Sequence, residues 1–257
     1  MTPRQQIQEK GFFIARQILT DDDVSRLSHS LSEHFKHTWT RVGLGKHQPN
    51  ASVAIPSIEW VFTHPKILAT LRELFNSENV IFTKNCDAHM NMLSWWHKDT
   101  SEGKGGCFTG DYFNRRECRV YRAGVYLQDH MSRGLTVRHG SHRQKSLKVG
   151  KKEYLKTHKG DVIFFDIRLT HAGQFADPVE YALLRAGRFL QREEVAMKLR
   201  AWYNKMLARP DKLSLFFTYG HPSKDTYAFM AYQRKESSKD DAEKASPTAR
   251  KPPLTSA

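Results

Sequence analysis

Two stretches decide how this chain is read: Leu93-Ser94-Trp95-Trp96-His97-Lys98-Asp99, and Gly160-Asp161-Val162-Ile163-Phe164-Phe165-Asp166 with His171 shortly beyond it. Both runs read as strands, the first through its aromatic pair and the second through its aromatic and β-branched content. In extended backbone, residues i and i+2 point to the same face. His97 and Asp99 can therefore project together from one strand end, and His171 can close on them from another.

Similar short runs surround these two. Residues 80–83, 89–96, 119–128, 135–138, 161–167 and 213–219 are rich in β-branched and aromatic side chains, with turn-forming stretches between them. Many short strands separated by loops predict a jelly roll or barrel rather than a parallel sheet. Ahead of them, Phe12-Phe13-Ile14 reads as a short strand. Thr20-Asp21-Asp22-Asp23 caps a helix carrying Val24, Leu27, Leu31 and Phe35 at helical spacing. Residues 36–58 read as a loop, and Pro65 opens a second helix that Asn76-Ser77 ends. The Gly-rich stretch 100–117 is a candidate lid. An amphipathic helix is expected at 190–208, bearing Leu190, Val195, Met197, Leu199, Trp202, Met206 and Leu207. From 233 to 257 apolar content almost vanishes, which predicts a disordered tail.

At 257 residues and 39% apolar content the chain can bury a sizeable core, and no apolar run approaches membrane-spanning length. The N-terminus lacks the apolar centre of a secretory signal. Three cysteines without Cys-x-x-Cys spacing suit free thiols in a reducing cytoplasm. Net charge is +14, much of it between Arg133 and Lys159, where nine basic residues face one acid, Glu153. Such a segment is a solvated loop or a docking surface for an anionic substrate or partner. No helix-turn-helix, zinc-finger or RNA-binding signature accompanies it, which argues against nucleic acid.

A His-x-Asp triplet alone carries little weight. With thirteen histidines and fourteen aspartates, about 0.7 such triplets arise from composition. Context decides: the triplet ends a strand-like run, a Gly140-Ser141-His142 turn follows, then a buried-looking strand and a histidine past its end. Two imidazoles and a carboxylate, with coordination positions left open, form the ligand set of a non-haem Fe(II) centre. The other histidines, such as His139 and His142 in the turn, read as surface or hydrogen-bonding groups.

The ordered set Trp96-His97-Lys98-Asp99, Val125-Tyr126-Leu127-Gln128-Asp129, His139-Gly140-Ser141-His142-Arg143, Gly160 to Asp166 and Arg168-Leu169-Thr170-His171 resembles the phytanoyl-CoA dioxygenase family of Fe(II)- and 2-oxoglutarate-dependent oxygenases. The resemblance spans most of the chain. It implies a mainly β fold with flanking helices around a double-stranded β-helix, the cupin-like jelly roll. One oxygenase domain would cover 1–232, with an N-terminal region 1–79, a core 80–220 and the helical insertion about 190–208. It further implies His97, Asp99 and His171 as iron ligands, and 2-oxoglutarate and O₂ as co-substrates. The implied reaction is hydroxylation of a small-molecule C–H bond with release of succinate and CO₂. Halogenases of this type lack the carboxylate, so Asp99 argues for hydroxylation or a related desaturation or epoxidation.

The far carboxylate of 2-oxoglutarate needs a fixed cation. The family usually places an arginine about ten residues after the second histidine, on the last barrel strand. This chain departs from that pattern, because Arg185 and Arg188 precede the expected helix and the last strand opens with Lys212-Leu213-Ser214. Lys212 and Ser214 share a face and are the expected anchor, with Arg185, Arg188 and Arg209 as alternatives. Arg122 lies mid-strand, where a charge is either solvated or buried against an anion. If the face of Arg122, Gly124 and Tyr126 points inward, it meets 2-oxoglutarate or substrate. Trp95 shares the face of His97 and is expected in the pocket, with Trp96 turned into packing. The other readings are an oxygenase acting on a carrier-bound or nucleic-acid substrate, and a metal-free binding protein on the same fold.

Overall fold

Capping boxes start the helices on either side of the first strand. Thr2 caps the helix Pro3–Lys10 and Thr20 caps Asp21–His37, each side chain taking an N–H of the first turn while the third helical residue reaches back. The computed structural model describes residues 1–100, 111–114, 117–131 and 134–245. Ten strands lie among them: β1 Phe12–Ala15, β2 Thr40–Val42, β3 Gly45–Pro49, β4 Ile81–Met90, β5 Val120–Tyr126, β6 Thr136–His139, β7 Lys151–Tyr154, β8 Val162–Asp166, β9 His171–Ala172 and β10 Leu213–Gly220. They form a large sheet in the order β1-β8-β5-β10-β4-β3-β2 and a small one in the order β7-β6-β9. The named strand pairs are antiparallel. This is the jelly roll with flanking helices.

Strand alternation divides the large sheet between two cores. Tyr121, Ala123 and Val125 of β5, Leu215 and Phe217 of β10, and Phe164 of β8 pack with Leu27, Leu31, Leu71 and Phe75 of the helices Asp21–His37 and Pro65–Phe75. The intervening residues Tyr126, Phe216, Ile163 and Phe165 pack inside the roll with Leu135, Val137 and Leu155 of the small-sheet side. Gly124 makes room there, since a Cβ at that position would lie 2.7 Å from the Phe216 ring.

Several expectations change. Residues 36–58 are not simply a loop, because β2 and β3 form a hairpin that extends the large sheet beside β4. The run before His97 is not a regular strand. β4 ends at Met90, and 91–99 is irregular backbone held by isolated bridges from Leu93 to Gln174 and from His97 to His171. The expected helix at 190–208 is Glu193–Met206, and a further helix, Pro178–Phe189, precedes it. The stretch 233–257 begins inside a helix, Lys224–Ala245, and its remainder lies outside the described residues. Most of the candidate lid, 101–110 with 115–116, also lies outside them. Among the described residues, no helix is long and apolar enough to cross a membrane.

Candidate metal centre

Backbone pairing aligns the three residues. The His97 N–H donates to the His171 carbonyl at 3.0 Å, and the His171 N–H donates back to the His97 carbonyl at 2.9 Å. The Asp99 N–H donates to the Ile167 carbonyl at 3.0 Å. The ligand atoms of His97, Asp99 and His171 consequently lie within 4.8 Å of one another. Asp99 Oδ1 is 3.7 Å from Nε2 of each histidine, too far for a good hydrogen bond and close enough to share one cation.

The second nitrogen of each ring fixes its tautomer. His97 Nδ1 lies 2.7 Å from the Trp95 carbonyl, and His171 Nδ1 lies 3.0 Å from the Leu169 carbonyl. A carbonyl only accepts, so each Nδ1 carries the proton and donates. In the neutral ring Nε2 then has a lone pair for a metal, as metal-binding histidines require. Burial pushes the His171 pKa down to about 4, against the opposing pull of Asp99, so the ring is neutral at neutral pH. Burial raises the Asp99 pKa, but Arg122, His171 and His97 outweigh it and hold the carboxyl below its ordinary value. Asp99 Oδ2 is buried and accepts no hydrogen bond among the described residues; Arg122 Nε stands 3.6 Å away. An ionised carboxylate beside two imidazoles whose Nε2 atoms face it is a donor set that fits a divalent cation.

Behind the three residues lies a cavity of about 610 Å³, counting its open mouth. Its wall includes His89, Arg122, Tyr126, Lys212, Ser214 and Phe216. Arg122 and Tyr126 thus line the cavity, and Gly124 between them lies against Phe216 of the same wall. The Arg122 guanidinium donates to Asn85 at 2.8 Å and to Asp87. Lys212 and Ser214 also reach the cavity. Ser214 is opposite both His89 of β4 and Tyr126 of β5 in the sheet register.

The remaining expected residues lie elsewhere. Trp95 is 47% exposed and lines an outer groove with Tyr181, Leu184, Arg185, Arg188 and Phe189, outside the cavity. It turns outward because 95–97 is not part of a regular strand, so the i, i+2 rule fails there. Arg185 and Arg188 sit on the helix Pro178–Phe189 and reach that groove alone. Arg209 is paired with Asp177 at 2.7 Å in a separate polar cleft that also includes Lys212. Trp96 packs on Phe175, as expected. His142 is buried and bonds the Gln8 carbonyl, while His139 meets Phe12 edge-on.

Asp87, His89 and His130 were not anticipated. Asp87 and His89 face the roll interior on β4, and the i, i+2 rule applied to Asp87-Ala88-His89 contains that signal. Burial pushes the His89 pKa down to about 3. His130 sits in the cavity wall, 2.7 Å from Gln128, in a loop that gives no periodic cue.

The chain matches no family model and no curated protein sequence. Solved structures share its fold. The epimerase SnoN from nogalamycin biosynthesis, in complex with Fe3+, alpha ketoglutarate and nogalamycin RO, aligns with a TM-score of 0.59 at 15% identity, over 85% of this chain and 82% of its own. HygX from Streptomyces hygroscopicus, with nickel, 2-oxoglutarate and hygromycin B bound, gives 0.58 at 16% identity, over 85% and 87%. AviO1 from Streptomyces viridochromogenes gives 0.58 at 14%, over 86% and 94%. The chain therefore has the jelly-roll fold of the 2-oxoglutarate-dependent iron enzymes.

Proposed function

We propose that this chain is an Fe(II)- and 2-oxoglutarate-dependent oxygenase of the phytanoyl-CoA dioxygenase type that hydroxylates a small molecule. The observation that carries the reading is the convergence of two imidazoles and one carboxylate at the mouth of a cavity in this fold. His97, Asp99 and His171 would hold the iron. Such a centre supplies oxidation of a C–H bond coupled to conversion of 2-oxoglutarate and O₂ to succinate and CO₂.

The chain's own residues position and exclude. Lys212 with Ser214 binds the far carboxylate of 2-oxoglutarate, Lys212 as a point charge in place of the family's arginine. Arg122 lies between Asp87 and Asp99, orienting the ligand carboxylate and offsetting charge in the wall. Tyr126, Leu135 and Phe216 line the cavity with apolar surface that keeps water from the reacting groups. A small-molecule substrate suits a recess of this size. SnoN is an epimerase and SnoK a carbocyclase, so this fold serves outcomes other than hydroxylation. The retained Asp99 carboxylate favours hydroxylation over halogenation. Buried, unbridged Cys86 and Cys118 are in keeping with a reducing compartment.

Anaerobic reconstitution with Fe(II) and 2-oxoglutarate, followed by a substrate screen for succinate release, tests the reading. One equivalent of iron should bind, and His97→Ala should abolish both tight binding and succinate formation. A wild-type chain that binds no iron is a binding protein, and a His97→Ala variant with full activity refutes the assignment.

A further inference from the structure

The helix Glu193–Met206 is amphipathic, yet its apolar stripe faces away from the protein. Its buried positions are Ala196 and Arg200. Val195, Leu199, Trp202 and Met206 are 50, 48, 62 and 61% exposed. Spacings of four, three and four residues align them on one narrow face. The end of the preceding helix and the turn after it add Phe189 and Leu190, at 87 and 60%. Around this apolar surface the hairpin of helices Pro178–Phe189 and Glu193–Met206 exposes Arg185, Arg188, Arg192, Lys198 and Lys205 against a single exposed acid, Glu194. Glu193 is already paired with Arg41.

We propose that this hairpin docks on the surface of an anionic lipid membrane. The apolar stripe would lie at the acyl boundary and the basic residues among the headgroup phosphates, the arrangement of an interfacial helix. Charge selects this occupant over a second copy of the chain. Two such stripes placed face to face would set Lys198 and Lys205 of each copy near those of the other. One helical stripe also falls short of the roughly 800 Å² per partner that a stable interface buries. A peptide helix would need a groove, and none of the four stripe residues lines a cleft described above. Phe189 belongs both to this apolar surface and to the groove beside Trp95, whose carbonyl holds His97. Docking would thus bring that groove, and the neighbouring mouth of the metal centre, to the lipid interface.

The test is flotation of the full chain with phosphatidylcholine vesicles, with and without about a third phosphatidylserine. The wild type should float with the anionic vesicles alone, and added salt should release it. Leu199→Ser/Trp202→Ser and, separately, Lys198→Glu/Lys205→Glu should each lower the bound fraction about tenfold with the melting temperature unchanged. Failure of the wild type to float, or equal flotation on neutral vesicles, overturns the proposal. So does a wild-type dimer in light scattering that Leu199→Ser/Trp202→Ser converts to a monomer, which would assign the stripe to self-association. None of these readouts depends on iron or turnover.

Discussion

Asp99 divides its two oxygens between different partners. Oδ1 faces both histidine Nε2 atoms at 3.7 Å, and Oδ2 faces Arg122 Nε at 3.6 Å. Asn85 and Asp87 in turn hold Arg122. In the proposed assignment Arg122 serves carboxylates of the protein, and Lys212, in the cavity wall, anchors 2-oxoglutarate. Replacing Lys212 by Met should weaken 2-oxoglutarate binding roughly 10- to 150-fold, the loss of one charge-assisted hydrogen bond, and leave metal affinity unchanged. Arg122→Met should do the reverse, lowering metal affinity more than 2-oxoglutarate affinity; calorimetric titration of each ligand separates the two. The ligand triad was legible because residue type, order and local context agreed across two distant segments. The Asp87–Arg122–Asp99 chain was not, because Arg122 gives the same mid-strand signal whether its anion belongs to the protein or to a ligand.

Among the elements, the helical hairpin after β9 packs Leu184 and Ala196 on Leu44 and Leu93 and adds a buried ion pair. Arg200 Nε donates to Glu180 at 2.9 Å, linking the two helices, and Arg200 Nη1 donates to the Leu44 carbonyl at 2.9 Å and to that of Asn91. Arg200 therefore ties the hairpin to the start of the segment that carries His97 and Asp99. Arg200→Met should destabilise the protein by about 3–5 kcal/mol in urea unfolding, because Glu180 is left buried without its cation. Converting Glu180 to Gln as well should recover part of that loss. Strands β5, β8 and β10 were readable because apolar residues run through them on both faces. The β2–β3 hairpin and β7 were not: Lys46-His47-Gln48 and Lys151-Lys152-Glu153 are polar runs without the apolar alternation that marks a strand. The helix Glu193–Met206 was readable as a helix, but a stripe of apolar residues does not say whether it meets a core or something outside the chain.

For the whole molecule, buried neutral histidines make stability depend on acidity. His89 and His171 titrate near 3 and 4 when folded, both pushed down by burial from 6.5. The unfolded chain binds protons there that the folded chain refuses, so their contribution is full above about pH 6.5 and lost as pH falls toward 4. The metal-free protein should lose denaturation midpoint steadily over that interval, and His89→Gln should flatten the slope; chemical denaturation across a pH series measures both. Asp87, Asp99 and Asp166 are also held below their ordinary values, against burial, by cations and hydrogen bonds, and their contribution fades only at still lower pH.

The reciprocal backbone bonds between His97 and His171 use no ligand atom. The imidazoles are thus aligned by peptide groups, whichever ion lies between them. A centre built this way is pre-organised, so loading spends little conformational entropy and unloading does not require the roll to open. On the proposed assignment His97, with its side chain 47% exposed where that of His171 is 6%, would mark the side from which exchange proceeds. Of the two imidazoles it would be the gatepost, the first met by an arriving ion and the last released by a departing one.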